Sequence, residues 1–171
     1  MAILTNVYSA SGTFTPAATP TDIVIIEGSA TKKIQVLSFI ITTTNTAAGS
    51  QQFNLIKRSS ADTTGTFSAA TKVPLDSFSV ASTVNRIGHF TVNPGALGSA
   101  VGTIAVKRVA SPAAVPASFD GVVVDASVDM LKGIDQPVVL RGIAQTLALN
   151  FGGVALVSGQ THAYCITWVE R

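Results

Sequence analysis

Charge is what this chain has least of. Of 171 residues, 11 are Lys or Arg and 9 are Asp or Glu, so charged side chains make up 12%, about half of the ~25% usual for a soluble domain. Self-repulsion between copies is correspondingly weak, which permits dense association. The net charge of +2 is scattered, with Lys32-Lys33, Lys57-Arg58 and Lys107-Arg108 as the basic doublets. Each doublet lies in or beside a strand-like run. None builds the basic stripe with interleaved aromatics that nucleic-acid binding needs, so no nucleic-acid partner is expected.

Cysteine and histidine are nearly missing as well. The single Cys165 excludes an internal disulfide framework. Its setting, Tyr164-Cys165-Ile166-Thr167-Trp168, reads as a buried strand whose thiol packs as a small hydrophobe. His89 and His162 are the two histidines, far apart in the sequence and without a carboxylate at ligand spacing. The clustered His-x-His of a cupin metal site cannot be assembled from them. Asp120, Asp125 and Asp129 are split by the strand-like Val122–Val124 and form no Asp-x-Asp-x-Asp-Gly calcium loop. Asp125 and Asp135 can be drawn as a glycosidase pair, as can some pair in any set of nine acids. Glu27 and Glu170 sit where strands end, which suits solvated positions.

Nucleophile and phosphate motifs are absent too. Gly98-Ser99-Ala100-Val101-Gly102 has the wrong spacing for Gly-x-Ser-x-Gly and leads into no elbow helix. Gly65, Gly95 and Gly98 precede no Gly-Lys-Thr and read as turn residues. Trp168 is the sole Trp and falls in the last strand, where core is the better reading than a sugar platform. The expectation is therefore no catalytic residue, no cofactor, no metal and no enzyme activity. Apolar runs are short of the ~20 residues a membrane helix needs. Met1-Ala2-Ile3-Leu4-Thr5-Asn6 lacks a basic n-region. No membrane partner is expected, and synthesis in a cytoplasm is the simplest inference.

What the chain does have is Thr, Ser, Ala, Gly and β-branched residues in short alternating runs. Residues 1–20 carry Gly12, Pro16 and Pro20 and read as an extended N-terminal arm, with Ile3, Leu4, Val7, Tyr8 and Phe14 as groups it can bury. Residues 21–171 read as one domain. Strands are expected at Asp22–Ile26 and at Lys33–Thr44, where a phase shift at Leu37-Ser38 signals a bulge or a change of face. Phe53–Arg58 continues as a strand, and with the preceding one reads as an antiparallel pair. Residues 59–83 read as a long connection with Val73, Leu75, Phe78 and Val80 as anchors and a weak helical turn near Leu75–Val80. Further strands are expected at Val84–Val92, Val101–Val109, Val122–Val124, Pro137–Ile143, Thr146–Phe151 and Gln160–Glu170. No stretch keeps a helical period. The fold class is all-β, an antiparallel two-sheet sandwich, and the two long connections favour a Greek-key jelly roll.

Four stretches also carry a resemblance: Phe14-Thr15-Pro16-Ala17-Ala18-Thr19-Pro20-Thr21-Asp22-Ile23-Val24, Asn54-Leu55-Ile56-Lys57-Arg58-Ser59, Asn93-Pro94-Gly95-Ala96-Leu97-Gly98, and Leu147-Ala148-Leu149-Asn150 with Ile166-Thr167-Trp168-Val169-Glu170. In this order the chain resembles small structural proteins of tailed bacteriophages. The resemblance implies a virion component, a jelly-roll capsid decoration (cement) protein. It would be trimeric, bound to the major capsid protein on the capsid surface and made in the host cytoplasm. A phage tail or head-fibre module, or a host-glycan-binding sandwich, stays open. The expected contact residues are Ile3, Leu4, Val7, Tyr8, Phe14, Val73, Leu75 and Phe78.

Overall fold

The computed structural model describes residues 6–44, 49–111, 126–156 and 160–171. Twelve strands carry the fold: β1 (Val7–Phe14), β2 (Asp22–Glu27), β3 (Ile34–Thr44), β4 (Gly49–Arg58), β5 (Thr66–Ala69), β6 (Val73–Pro74), β7 (Ile87–Val92), β8 (Ala100–Ser111), β9 (Ala126–Asp129), β10 (Val138–Leu140), β11 (Thr146–Asn150) and β12 (Thr161–Glu170). There is no helix among the described residues, hence none long and apolar enough to cross a membrane. The expected Val122–Val124 strand lies outside the described residues.

Two six-stranded antiparallel sheets form the sandwich that the alternation predicts. One runs β10-β3-β12-β1-β6, with β9 beside β10 on the same edge of β3; the other runs β5-β7-β2-β11-β4-β8. The pairing is nested. The first strand pairs the last (β1 with β12), the second the penultimate (β2 with β11), β3 pairs β9 and β10, and β4 pairs β8. The chain is thus one long hairpin rolled so that successive rungs fall in alternate sheets.

Side-chain alternation explains why these residues sit where they do. Along β12, His162, Tyr164, Ile166 and Trp168 are buried while Ala163, Cys165 and Thr167 between them are half-buried. They meet Phe53 and Leu55 of β4 and Leu147 and Leu149 of β11 in one core. Each such aliphatic or aromatic side chain removed from water contributes about 1.5–3 kcal/mol. The phase shift in β3 is a bulge: Thr167 faces Ser38 and Trp168 faces Val36, leaving Leu37 over, and it is an exposed residue.

Three expectations need correcting. First, β3 and β4 do not pair; they lie in different sheets, β3 beside β12 and β4 between β11 and β8. Second, Val7–Phe14 is no free arm. It is an eight-residue strand paired with β12 along its whole length and with β6 on its other side. Gly12, which in the sequence counted toward an extended arm, faces Tyr164; a Cβ there would come within 2.7 Å of the phenol oxygen. Third, residues 59–83 hold two short strands, and Leu75–Val80 makes a turn closed by Ser79 N–H to Asp76 O and Phe78 N–H to Asp76 Oδ1.

Residues 59–99 form an insert between β4 and β8. It adds β7 and β5 beyond β2 and adds β6 beyond β1. It also contributes to covering the outer face of the second sheet, where Ile25 and Ala148 pack with Phe90 and Phe67 in a second cluster. As a result β2 and β11 are buried at every position.

Candidate functional site

The contact residues expected from sequence separate into two groups. Tyr8 and Phe14 are core residues of β1, 0% and 5% exposed, and Val7 is half-buried opposite Val169. Ile3 and Leu4 lie outside the described residues. Val73, Leu75 and Phe78 are exposed, and with Val80 they make a ledge: Phe78 is 95% exposed, Leu75 62%, Val80 61% and Val73 49%.

The ledge is tied down at both ends. On one side Val73 and Pro74 pair with Ser9 and Tyr8, and Leu75 N–H donates to Val7 O at 2.9 Å. On the other, Tyr8 Oη donates to Val80 O at 2.7 Å. Burial, with the nearby Glu170 charge, raises the Tyr8 pKa, so the phenol stays a donor. Just beyond, Glu170 Oε1 accepts from Ser82 Oγ at 2.5 Å and from Trp168 Nε1 at 3.2 Å, and its Oε2 accepts from Thr83 Oγ1 at 2.8 Å. Burial alone would raise the Glu170 pKa, but the bonds from Ser82, Thr83 and Trp168 outweigh it and the carboxyl sits below its usual range.

Glu170 is one of several carboxylates used this way. Glu27, fully buried, accepts from Arg86 Nε at 2.8 Å and from Asn85 Nδ2 at 2.6 Å; the Arg86 guanidinium also stacks over Phe67. Asp22 takes Arg58 in a two-pronged pair (2.5 and 2.8 Å) and accepts from Asn150 Nδ2 at 2.5 Å. Arg58 also reaches Gly98 O, and Asp62 Oδ1 lies 3.7 Å from Arg58 Nε and accepts from Gly98 N–H. Burial pushes the Asp62 carboxyl up to about 6, against the pull of Gly98 N–H and Arg58. The expectation that Glu27 and Glu170 are solvated is therefore overturned. Both stand at strand ends, but the insert folds over them.

The two histidines, distant in sequence, meet through one ring. Phe14 stacks on His89 (5.5 Å between centroids) and on His162 (5.2 Å). His162 Nδ1 bonds Thr43 Oγ1 at 3.0 Å, and burial lowers its pKa to about 4. His89 is lowered by burial too. Among the described residues neither pairs with a carboxylate, and no group of three or more His, Cys, Asp or Glu is placed to hold a metal. Asp120 and Asp125 lie outside those residues. Cys165 is a half-buried thiol 3.5 Å from Ser9 Oγ. Trp168 is fully buried against Tyr8 (5.7 Å, stacked).

Four large apolar side chains, Val73, Leu75, Phe78 and Val80, thus stand exposed on a braced segment. No protein-family model, no curated protein and no solved structure matches the chain.

Proposed function

We propose that the chain is a virion structural protein, a capsid decoration (cement) protein that binds the outer capsid lattice as a homotrimer. The observation that carries this reading is the ledge of Val73, Leu75, Phe78 and Val80, large apolar side chains held outward on a segment that β1 and Glu170 brace. Braced apolar side chains lose little conformational freedom on docking, so more of their burial counts toward affinity. The nested pairing supports the jelly-roll form of the sandwich, since it is the order two Greek keys produce. The low charge and the resemblance to tailed-phage structural proteins point the same way.

Function in this reading is interface energy. A specific contact buries roughly 1,200–2,000 Å², and repetition over symmetric sites lets modest affinities accumulate. The test is a double variant, Leu75→Asp with Phe78→Asp, added to undecorated capsids. Unchanged thermal unfolding with at least tenfold lower occupancy is expected. Occupancy equal to wild type would remove the ledge from the interface, and cryo-electron microscopy placing the chain on the tail would remove the capsid reading.

A further inference from the structure

Scarce as charge is in this chain, cations gather at the ledge. Lys72 directly precedes Val73, and its Nζ donates to Val84 O. Lys32 Nζ lies 3.7 Å from Glu170 Oε2, on the carboxylate that braces the far side of the ledge. Lys33 and Arg171 exchange backbone hydrogen bonds, N–H to O, at 2.7 and 3.0 Å, which sets two more cations at the same corner. Val169 of β12 faces Val7 of β1, and Val7 O accepts the Leu75 N–H, so the end of β12 is two strand spacings from the ledge. At about 4.8 Å per strand that is about 10 Å, comparable to the Debye length of roughly 10 Å at 0.1 M salt.

Among the described residues, the carboxylates placed with these cations are Glu170 and Asp76, the latter accepting the Phe78 N–H in the turn. Four cations against two carboxylates leave two positive charges, equal to the formal net charge of the whole chain, +2. Of the 11 basic and 9 acidic residues, that leaves seven and seven elsewhere. The excess charge therefore sits beside the apolar ledge.

We propose that the ledge docks on a protein surface whose apolar pocket is rimmed by carboxylates, an inference that rests on reading the ledge as the capsid contact. Leu75, Phe78 and Val80 enter the pocket, and Lys33 and Arg171 meet the rim. Opposite potentials at a rim steer encounter and fix the docked register. A second copy docking ledge to ledge would bring these cations toward their own equivalents, which disfavours self-association here. An anionic lipid surface would attract the cations too, but it asks for no fixed arrangement. Here Lys32 is held by Glu170 and Lys72 by Val84 O, and the apolar side chains ride on a segment bonded to β1 on both sides. Fixed cations beside fixed apolar side chains match a partner whose own charges are fixed.

The test is the salt dependence of binding to undecorated capsids, read as association rate and occupancy at about 50 and about 500 mM NaCl. Three proteins are compared: wild type, Lys33→Gln with Arg171→Gln, and Leu75→Ser with Phe78→Ser. The hydrogen bonds between Lys33 and Arg171 run through the backbone, so the Gln pair is expected to keep the wild-type thermal midpoint. Wild type is expected to associate about tenfold more slowly at the higher salt, and the Gln pair to be that slow already at the lower. The Ser pair should lose occupancy at both salts. A wild-type rate indifferent to salt, or a Gln pair equal to wild type, overturns the acidic rim and leaves the ledge reading intact if the Ser pair still fails to bind. Full occupancy by the Ser pair, or no capsid binding by wild type, sinks the ledge reading and this inference with it. Phosphatidylserine vesicles that sediment wild type but not the Gln pair would assign the corner to lipid and equally overturn the proposal.

Discussion

The sandwich and its insert are held by different physics. Inside the nested strands the contacts are hydrocarbon and aromatic: Trp168 on Tyr8, Phe53 on Phe151, and Ile and Leu rows between the sheets. The insert, residues 59–99, carries few large core side chains and is fastened by buried carboxylates instead. Glu27 and Glu170, and Asp22 through Arg58 and Asp62, each reach it from the sandwich strands. A chain with only nine acidic residues places four of them, Asp22, Glu27, Asp62 and Glu170, in these fastenings. Packing tolerates small changes by relaxing, whereas a buried ion pair fails when one partner is lost. The two regions should therefore break differently.

The largest loss is expected from Trp168→Ala. Truncating a fully buried aromatic costs about 3–5 kcal/mol, and denaturant unfolding should show one transition shifted as a whole. Arg58→Met comes next. It leaves Asp22 and Asp62 buried without their cation, at a cost of about 3 kcal/mol or more. Here hydrogen exchange should show residues 59–65 and 96–99 losing protection before the sandwich strands do. Protection lost evenly across the chain would erase the distinction drawn above.

Acid should act on the two regions with opposite sign. The His162 pKa is about 4 in the folded chain against 6.5 outside it. Its contribution is thus fully present above 6.5 and disappears as pH falls toward 4, a difference of about 3 kcal/mol. Asp62 is raised from 3.8 to about 6, so its contribution is present below 3.8 and disappears as pH rises through 6. Thermal midpoints measured from pH 4 to 8 should rise more steeply with pH in Asp62→Asn, which has lost the opposing group. In His162→Phe, where the opposing Asp62 contribution is left without its counterweight, they should fall as pH rises from about 4 to about 6.

Smaller effects finish the series. Gly12→Ala forces a methyl against the Tyr164 phenol and should cost about 1–3 kcal/mol, the usual range for overpacking. Phe78→Ser, on the ledge, should change stability by no more than about 0.5 kcal/mol, because nothing in the folded chain depends on that ring. A thermal scan should show a lowered midpoint for Gly12→Ala and a midpoint close to that of wild type for Phe78→Ser.

The sandwich could be read from sequence because alternation is a local signal. The run Ile23–Ile26, the phase shift at Leu37 and the limits of β11 and β12 all appear within a few residues. The insert's fastening could not be read, since the meaning of Glu27 or Glu170 depends on Asn85, Arg86, Ser82 and Thr83, between 58 and 88 residues away. The strand Val7–Phe14 was missed for a related reason, through Gly12. A glycine that makes room for a distant Tyr164 looks, locally, like one that breaks a strand. The ledge was half legible, because Val73, Leu75 and Phe78 stood out as apolar residues in a polar stretch. Tyr8 and Phe14 carried the same signal and belong to the core.

Nested pairing also sets the order in which the protein can be made. Tyr8 finds Trp168 across the whole length of the chain, so β1 leaves the ribosome long before its partner exists. The inner rung, β4 with β8, can close first, and each outer rung must wait for more chain. Such non-local pairing folds slowly, and until β12 is free the apolar edges of β1 and β3 stand open to other chains. Translation that stops before residue 161 should therefore leave an aggregation-prone fragment, where a protein with local pairing would leave a smaller folded one.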